Sequence, residues 1–489
     1  MTRAIMLQGT GSDVGKTVLV AGLCRVARNR GMVVRPFKPQ NMSNNAAVAD
    51  IPGQSDGGEI GRAQWLQAIA CSVAPSIHMN PILLKPQSDV GSQIIVQGRV
   101  CGQAKARDYQ LLKPRLMEAV LDSWNKVGEG ADIVIVEGAG SPAEINLRPR
   151  DIANMGFATA ADVPVILVGD IDRGGVIASL AGTHVILSEE DRRMIVGYLI
   201  NKFRGDASLF DDGIDAIHKF TGWRCFGVVP WLHAAAMLPS EDSVVLERLA
   251  SGSPRPLKIA VPMLSRIANF DDLDPFKAEP QVELVFVAPG HPLPDDAGLV
   301  VIPGSKSTIA DLIDFRRNGW DADLAAHRRR GGHVVGICGG YQMLGRVVRD
   351  PRGIEGSVTE TDGLGLLDVE TIMEPQKTVR NVEARSLTYD APLSGYEIHL
   401  GRTTGPDCLR PTAVINGVED GATSSDGKVF GTYLHGLFGA DAFRGRFLES
   451  LGVRGGGLDY RAEVERALDE LAAHLERHLD CSAIFAAAR

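Results

Sequence analysis

The stretch Gly9-Thr10-Gly11-Ser12-Asp13-Val14-Gly15-Lys16-Thr17 restricts this chain more than any other. It lies between an apolar run, Ala4-Ile5-Met6-Leu7, and a segment of helical pattern that starts near Lys16. A glycine-rich loop in that position frees backbone N–H groups. With the positive end of the helix dipole and a Lys ammonium, they cradle a polyphosphate. Thr17 then offers a hydroxyl to a Mg²⁺ bridging the phosphates. The strict pattern G-x-x-x-x-G-K-[ST] has glycine where this chain has Thr10, so the match is to a variant with glycines at 9, 11 and 15. Gly11, Ser12, Asp13, Gly15, Lys16 and Thr17 are the expected nucleotide contacts.

A chain of 489 residues has room for two or three domains, and we expect two main ones. With 44% hydrophobic and 23% charged residues and no apolar run of membrane-spanning length, it reads as an ordinary globular protein. The first residues read as a core strand rather than a signal peptide. A net charge of −9 argues against a general nucleic-acid surface, which needs a basic footprint. The seven cysteines are scattered and lack C-x-x-C spacing, which fits neither a disulfide framework nor a zinc site and suits a reducing cytoplasm.

Beyond the loop, Val18–Val26 continues as a helix and Met32–Phe37 as a strand, so strand, helix and strand form a βαβ unit in a parallel sheet. Phe37–Asn45 leaves the carboxyl end of that strand, where open α/β sheets bind ligands. Glu59, before the small-residue segment Ile60–Gln64, reads either as a first-turn acid facing a helix dipole or as a metal ligand. Ala131–Val136 is a buried strand ending in Glu137 and a glycine turn, and an acid at such a strand tip can hold Mg²⁺; the alternative is a solvated loop acid. Thr17, Glu137 and Glu59 are the expected metal ligands. Strands follow at Val163–Val168 and Met194–Ile200. Asp170 and Asp172 beside Arg173 suit catalysis and structural ion pairing about equally well. After the second strand comes Asn201, a further candidate for the nucleotide site.

Ser251-Gly252-Ser253-Pro254-Arg255-Pro256 has the composition of a linker. The expected division is residues 1–250 for the phosphate-binding domain and 257–450 for a second α/β domain. Residues 455–489 should form a terminal amphipathic helix packed on the second domain, with Val464, Leu468, Leu471, Leu475 and Leu479 on its apolar face.

In the second half, the strand His333–Ile337 runs into Cys338, and a helical pattern begins directly after it, with Gly336 and Gly340 on either side. This is a nucleophile elbow: the sharp turn strains the nucleophile, and the glycines make room for the crossing backbone. A thiol at a helix N-terminus has its thiolate stabilised by the dipole. Its base is sought among His333, His399 and His435. His333 lies at the far end of the elbow's strand, and His435, followed by Gly436 at a strand end, suits the role better than His399.

With both loops in view, the chain resembles the cobyric acid synthase family, glutamine-hydrolysing amidotransferases of cobalamin synthesis. Its first half resembles the dethiobiotin-synthetase-like P-loop group through Gly9–Thr17, Phe37–Asn41, Gly58–Gln64, Val136–Gly140, Asp170–Gly175 and Asn201–Phe203. Its second half resembles class I glutamine amidotransferases through Pro303–Lys306, Gly336–Gly340 and Tyr433–Gly436. The resemblance implies two doubly wound α/β domains, a P-loop parallel sheet and a flavodoxin-like glutaminase domain. It implies ATP, Mg²⁺, glutamine as nitrogen donor and a corrinoid substrate, whose side-chain carboxylates are activated as acyl phosphates and amidated. Cys338 and His435 are the implied catalytic residues, with N–H groups near Gly304 and Gly339 as oxyanion donors. Ordinary class I enzymes have Pro-Glu after the histidine; here Gly436-Leu437 follow, so the usual third triad member is missing and Glu397 is a candidate orienter of His435. The cobyrinic acid a,c-diamide synthases share this logic and are the nearest alternative. A partitioning-type ATPase switch is more distant, since a glutaminase half would serve no purpose there.

Overall fold

The protein is described here from a computed structural model covering residues 2–87, 91–239 and 255–489. Most of the expected linker, residues 251–254, lies outside the described residues. Two open α/β sheets organise the chain. The first has six strands, in spatial order Arg224–Pro230, Ile195–Phe203, Val165–Asp170, Arg3–Gly9, Ile133–Glu137 and Val34–Phe37, with parallel pairing throughout. Its strands read as continuous apolar runs because helices cover both faces, and Ile133–Glu137 is buried along its whole length.

The second sheet is ordered Val282–Val287, Leu257–Pro262, Leu299–Ile302, His333–Ile337, Val429–Thr432 and the short edge strand Ala422–Thr423. Its first five strands are parallel and, numbered along the chain, run 2-1-3-4-5, the flavodoxin-like order. Only the edge strand is antiparallel. The expected fold class is therefore what the chain adopts. Smaller sheets join these cores: Gln40–Met42, Ile82–Pro86, Gly91–Val96 and Arg99–Lys105 extend the first domain, and the hairpin Thr378–Ser386 with Ala391–His399 extends the second.

The terminal helix departs from expectation. Tyr460–His478 buries the anticipated residues Val464, Leu468, Leu471 and Leu475, but against the first domain rather than the second. It lies on the helix Lys16–Asn29, where Gly22 leaves a flat site: a Cβ there would stand 2.5 Å from Leu475 Cδ1 and 2.9 Å from Leu471 Cγ. Arg25, itself buried, pairs with Glu465, and Arg30 pairs with Glu476 at 2.9 Å. The chain end then ties back to the first strand through Ala4 N–H to Arg489 O, 2.9 Å. An amphipathic pattern specifies which face of a helix is buried and leaves its partner open; Gly22 and Arg25 decide the partner here.

Candidate active sites

The glycine loop closes over the tips of the first sheet. Gly15 has φ +92°, and a Cβ there would run into the Asn201 side-chain amide. That amide donates to Val14 O at 2.8 Å, so Asn201 supports the loop from the neighbouring strand. Lys202 does the same, donating to Asp13 O and pairing with Asp170 at 2.8 Å. Lys16 Nζ reaches Gly11 O and Gly140 O at 3.1 and 3.2 Å. Gly11 has no heavy atom within 4 Å of the position of a Cβ.

Glu137 is the centre of charge. It is buried, and its Oε1 accepts from Thr17 Oγ1 at 2.8 Å and from Lys38 Nζ at 2.9 Å, while Oε2 accepts from Gln67 at 2.5 Å. Burial alone would raise its pKa, but Lys38, Gln67 and Thr17 hold it below the ordinary carboxylate value. Thr17 and Glu137 thus stand together as hard oxygen donors beside the loop, the donor type Mg²⁺ takes. These groups line a cavity of about 1100 Å³, which also receives Asn41, Tyr109, Lys113 and Asn154.

Glu59 does not belong to this group. It lies on the strand Gly58–Gly61, not in a helix turn, and its two oxygens take Lys85 at 2.8 Å and Lys377 at 2.5 Å. Burial opposes its ionisation, yet the two ammonium groups lower its pKa to about 2. Both oxygens face cations at the seam with the second domain, so the structure places Glu59 in an ion pair there, outside the lining of the cavity that Thr17 and Glu137 border. Asp170 and Asp172 likewise follow the ion-pair reading, with Lys202 and, at 2.7 Å, Arg204.

In the second domain, Cys338 has φ +51° and ψ −109°, the strained conformation of an elbow. The glycines are required by contact: a Cβ on Gly340 would collide with Ile302 O, and one on Gly336 would lie 2.6 Å from Gly340 O. Gly339 packs against the short strand Gly304–Ser305, where its Cβ would be 2.8 Å from Ser305 N, so the two expected oxyanion donors are brought to one place. His435 and Cys338 line the same small pocket. His399 also borders the small pocket above the thiol, but it stacks on Tyr433 at 3.9 Å between ring centres and lies 3.7 Å from Glu397.

Glu397 does not orient His435; it pairs with Arg380 at 2.5 Å. That role falls to Asp272, whose Oδ2 is 2.7 Å from His435 Nδ1 while Oδ1 accepts from Gly436 N at 2.7 Å. Burial would lower the proton affinity of His435, but Asp272 and Cys338 reverse this and raise its pKa to about 10. Sequence reasoning missed Asp272. The signal was the run Asn269-Phe270-Asp271-Asp272-Leu273-Asp274-Pro275-Phe276, where acids alternate with bulky apolar residues; all of Asp271, Asp272 and Asp274 are buried. Sharing a pocket with the thiol and paired with a carboxylate, His435 can hold or return a proton during acyl transfer.

The two sites lie back to back on one strand. Leu84 and Pro86 of Ile82–Pro86 border the large cavity, whereas Lys85 between them borders the pocket holding Cys338 and His435. Among the described residues, no helix is long and apolar enough to cross a membrane.

Residues 5–245 match the CobQ/CobB/MinD/ParA nucleotide binding domain, and residues 258–443 match the CobB/CobQ-like glutamine amidotransferase domain. The chain is 82% identical over 491 residues to a cobyric acid synthase of Mesorhizobium japonicum, covering all of both chains. It is 72% identical to that of Rhizobium johnstonii, over 98% of this chain and 97% of the relative, and 70% identical to that of Brucella suis biovar 1 over the whole of both. The chain belongs to the cobyric acid synthase family.

Proposed function

We propose that this protein uses ATP and glutamine to amidate four side-chain carboxylates, b, d, e and g, of adenosylcobyrinic acid a,c-diamide, giving adenosylcobyric acid. The observation that carries this reading is the back-to-back placement of the glycine-loop cavity and the Cys338–His435 pocket, which share Ile82–Pro86 as a wall. A carboxylate is a poor electrophile. Its oxygen attacks the γ-phosphorus of ATP and ADP leaves, producing an acyl phosphate; ammonia then adds to the carbonyl carbon and inorganic phosphate leaves. Gly11, Ser12, Asp13, Gly15 and Lys16 bind the phosphates, with Asn201 supporting the loop from behind. Thr17 and Glu137 would hold Mg²⁺, which when bound offsets phosphate charge.

In the second pocket, the Cys338 thiolate attacks the carboxamide carbon of glutamine, and N–H groups at Gly304 and Gly339 steady the oxyanion. His435, fixed by Asp272, gives its proton to the departing ammonia and then activates the water that hydrolyses the thioester. Free ammonia in water is mostly ammonium and not nucleophilic. A short route across a shared wall keeps it unprotonated, which favours joint operation of the two sites.

The test is mass spectrometry of the diamide incubated with glutamine and MgATP. Four successive carboxylate-to-amide conversions are expected. An unchanged diamide, with the a and c carboxylates of unamidated cobyrinic acid amidated in a parallel incubation, would instead favour the diamide synthase reading.

A further inference from the structure

The segment that orients His435 is held from the other domain. Asn269–Asp272 has Asn269 in a left-handed conformation at φ +52°, unusual for a non-glycine residue, and buries Asn269, Asp271 and Asp272. Asp272 fixes His435, as described. Asn269 Nδ2 lies 3.5 Å from the other ring nitrogen, Nε2. The same segment is gripped at two points by the first domain. Asn269 Oδ1 accepts from Ala46 N at 3.0 Å, and Asp271 Oδ2 is 2.9 Å from Arg62 Nε.

Both gripping residues belong to one unit. Ala46–Ala49 and Gly58–Gly61 form a two-stranded ribbon, with Ala46 paired to Gly61 and Arg62 N donating to Asn45 O at 3.2 Å. The ribbon leaves the first domain next to Gln40–Met42, whose residues line the large cavity, and Asn41 is tied to Gln64 of the helix that Arg62 opens, at 3.0 Å. Arg62 is itself fixed, its guanidinium 3.8 Å from the centre of the Trp65 ring. A small apolar cluster seals the same seam: Ala46, Val48, Leu83 and Ile95 of the first domain pack on Val379, Tyr396 and Ile398 of the second. Tyr396 stacks on the His435 ring at 5.1 Å, and Ile398 O accepts from Cys338 Sγ at 3.5 Å.

We propose that the first domain completes the glutaminase site, with Arg62 acting through Asp271, and the Ala46 amide through Asn269, as positioning groups for His435. The physical reason is that a left-handed Asn followed by buried acids is not held by local backbone preference. Two fixed contacts supply the constraint, and an ion pair removed from water responds steeply to loss of either partner. Glutamine hydrolysis then depends on the conformation of a ribbon rooted beside the cavity for the acceptor.

This inference rests on the function proposed above, and its test separates the two. Wild type, Arg62→Met and Arg62→Lys are assayed for glutaminase kcat and KM and, with ammonium salt replacing glutamine, for ATP-dependent amidation. Glutaminase kcat of Arg62→Met should fall on the order of 10- to 100-fold, since small misplacements of catalytic groups have effects of that size. Its KM for glutamine and its ammonia-dependent rate should stay within about twofold of wild type, and Arg62→Lys should recover most of kcat. Asp271→Asn reads the same pair from the other side and should lower kcat alike. Unchanged kcat in Arg62→Met and Asp271→Asn would overturn the proposal, as would a loss in Arg62→Met that Arg62→Lys does not relieve. Absence of glutaminase activity in the wild type would instead contradict the functional reading itself.

Discussion

Asp272 Oδ2 stands 2.7 Å from Nδ1 of His435, a residue 163 positions further along the chain. In class I enzymes the orienting acid is expected directly after the histidine; here Gly436 and Leu437 occupy that place and the acid arrives from a buried turn instead. Gly436 keeps a part in the contact, since its N–H donates to the other oxygen of Asp272 at 2.7 Å. Asp272→Asn preserves shape but removes the charge that selects the ring's tautomer and supports its protonated form. Glutamine hydrolysis should fall by roughly 10²-fold or more. Ammonia-dependent amidation should persist, and steady-state rates with each nitrogen donor check both statements.

The same contact sets a pH dependence. The pKa of His435 is raised in the folded protein to about 10, so folding favours the protonated ring. That contribution is complete below the ordinary histidine value near ~6.5 and is lost as pH rises through the folded value. Thermal unfolding across this alkaline range should therefore show wild type losing its advantage over Asp272→Asn as pH increases. Parallel curves for the two proteins would mean that the contact contributes no linked stability.

Glu59 carries a different expectation from the one its sequence context suggested. It neutralises Lys85 and Lys377 inside the seam, so Glu59→Gln leaves buried ammonium charge uncompensated. The cost should be about 3–5 kcal/mol in denaturant unfolding, with the Mg²⁺ requirement unchanged. A raised Mg²⁺ requirement with unaltered stability would restore Glu59 to the metal site.

Glu137→Gln is the opposite case. Thr17 and Glu137 present the oxygen donors beside the loop, and losing the charge should raise the Mg²⁺ needed for half-maximal amidation or abolish turnover. Glutamine hydrolysis, which lies in the other pocket, should survive in this variant. Titration of each activity with MgCl₂ distinguishes the two effects.

What could be read along the chain and what could not follows from range. Buried parallel strands are continuous apolar runs, so Ile133–Glu137 and His333–Ile337 were legible, and so were the glycines that the loop and the elbow need. The strained turn at Cys338 was implied by the strand that runs into it, the helical pattern that follows and the flanking Gly336 and Gly340. Asp272 was hidden because acids between apolar residues resemble a surface turn until their distant partners are known. Glu59 was misplaced for a related reason: the helix it was expected to open begins at Arg62, and Lys377 reaches it from 318 positions away. The face of the terminal helix was legible from its 3.6-residue period, whereas its docking on Lys16–Asn29 depended on the surface shape left by Gly22.

The central claim is that one chain runs two separable chemistries joined by ammonia, and Cys338→Ser tests it most directly. A hydroxyl replaces the thiol while the glycine-loop cavity is untouched. With the diamide, MgATP and glutamine, the variant should yield almost no amidated corrinoid. With a high concentration of ammonium salt at raised pH in place of glutamine, it should yield the amidated product with ATP consumed. Full glutamine-dependent synthesis by Cys338→Ser, or no synthesis with ammonia by a folded variant, would contradict the account.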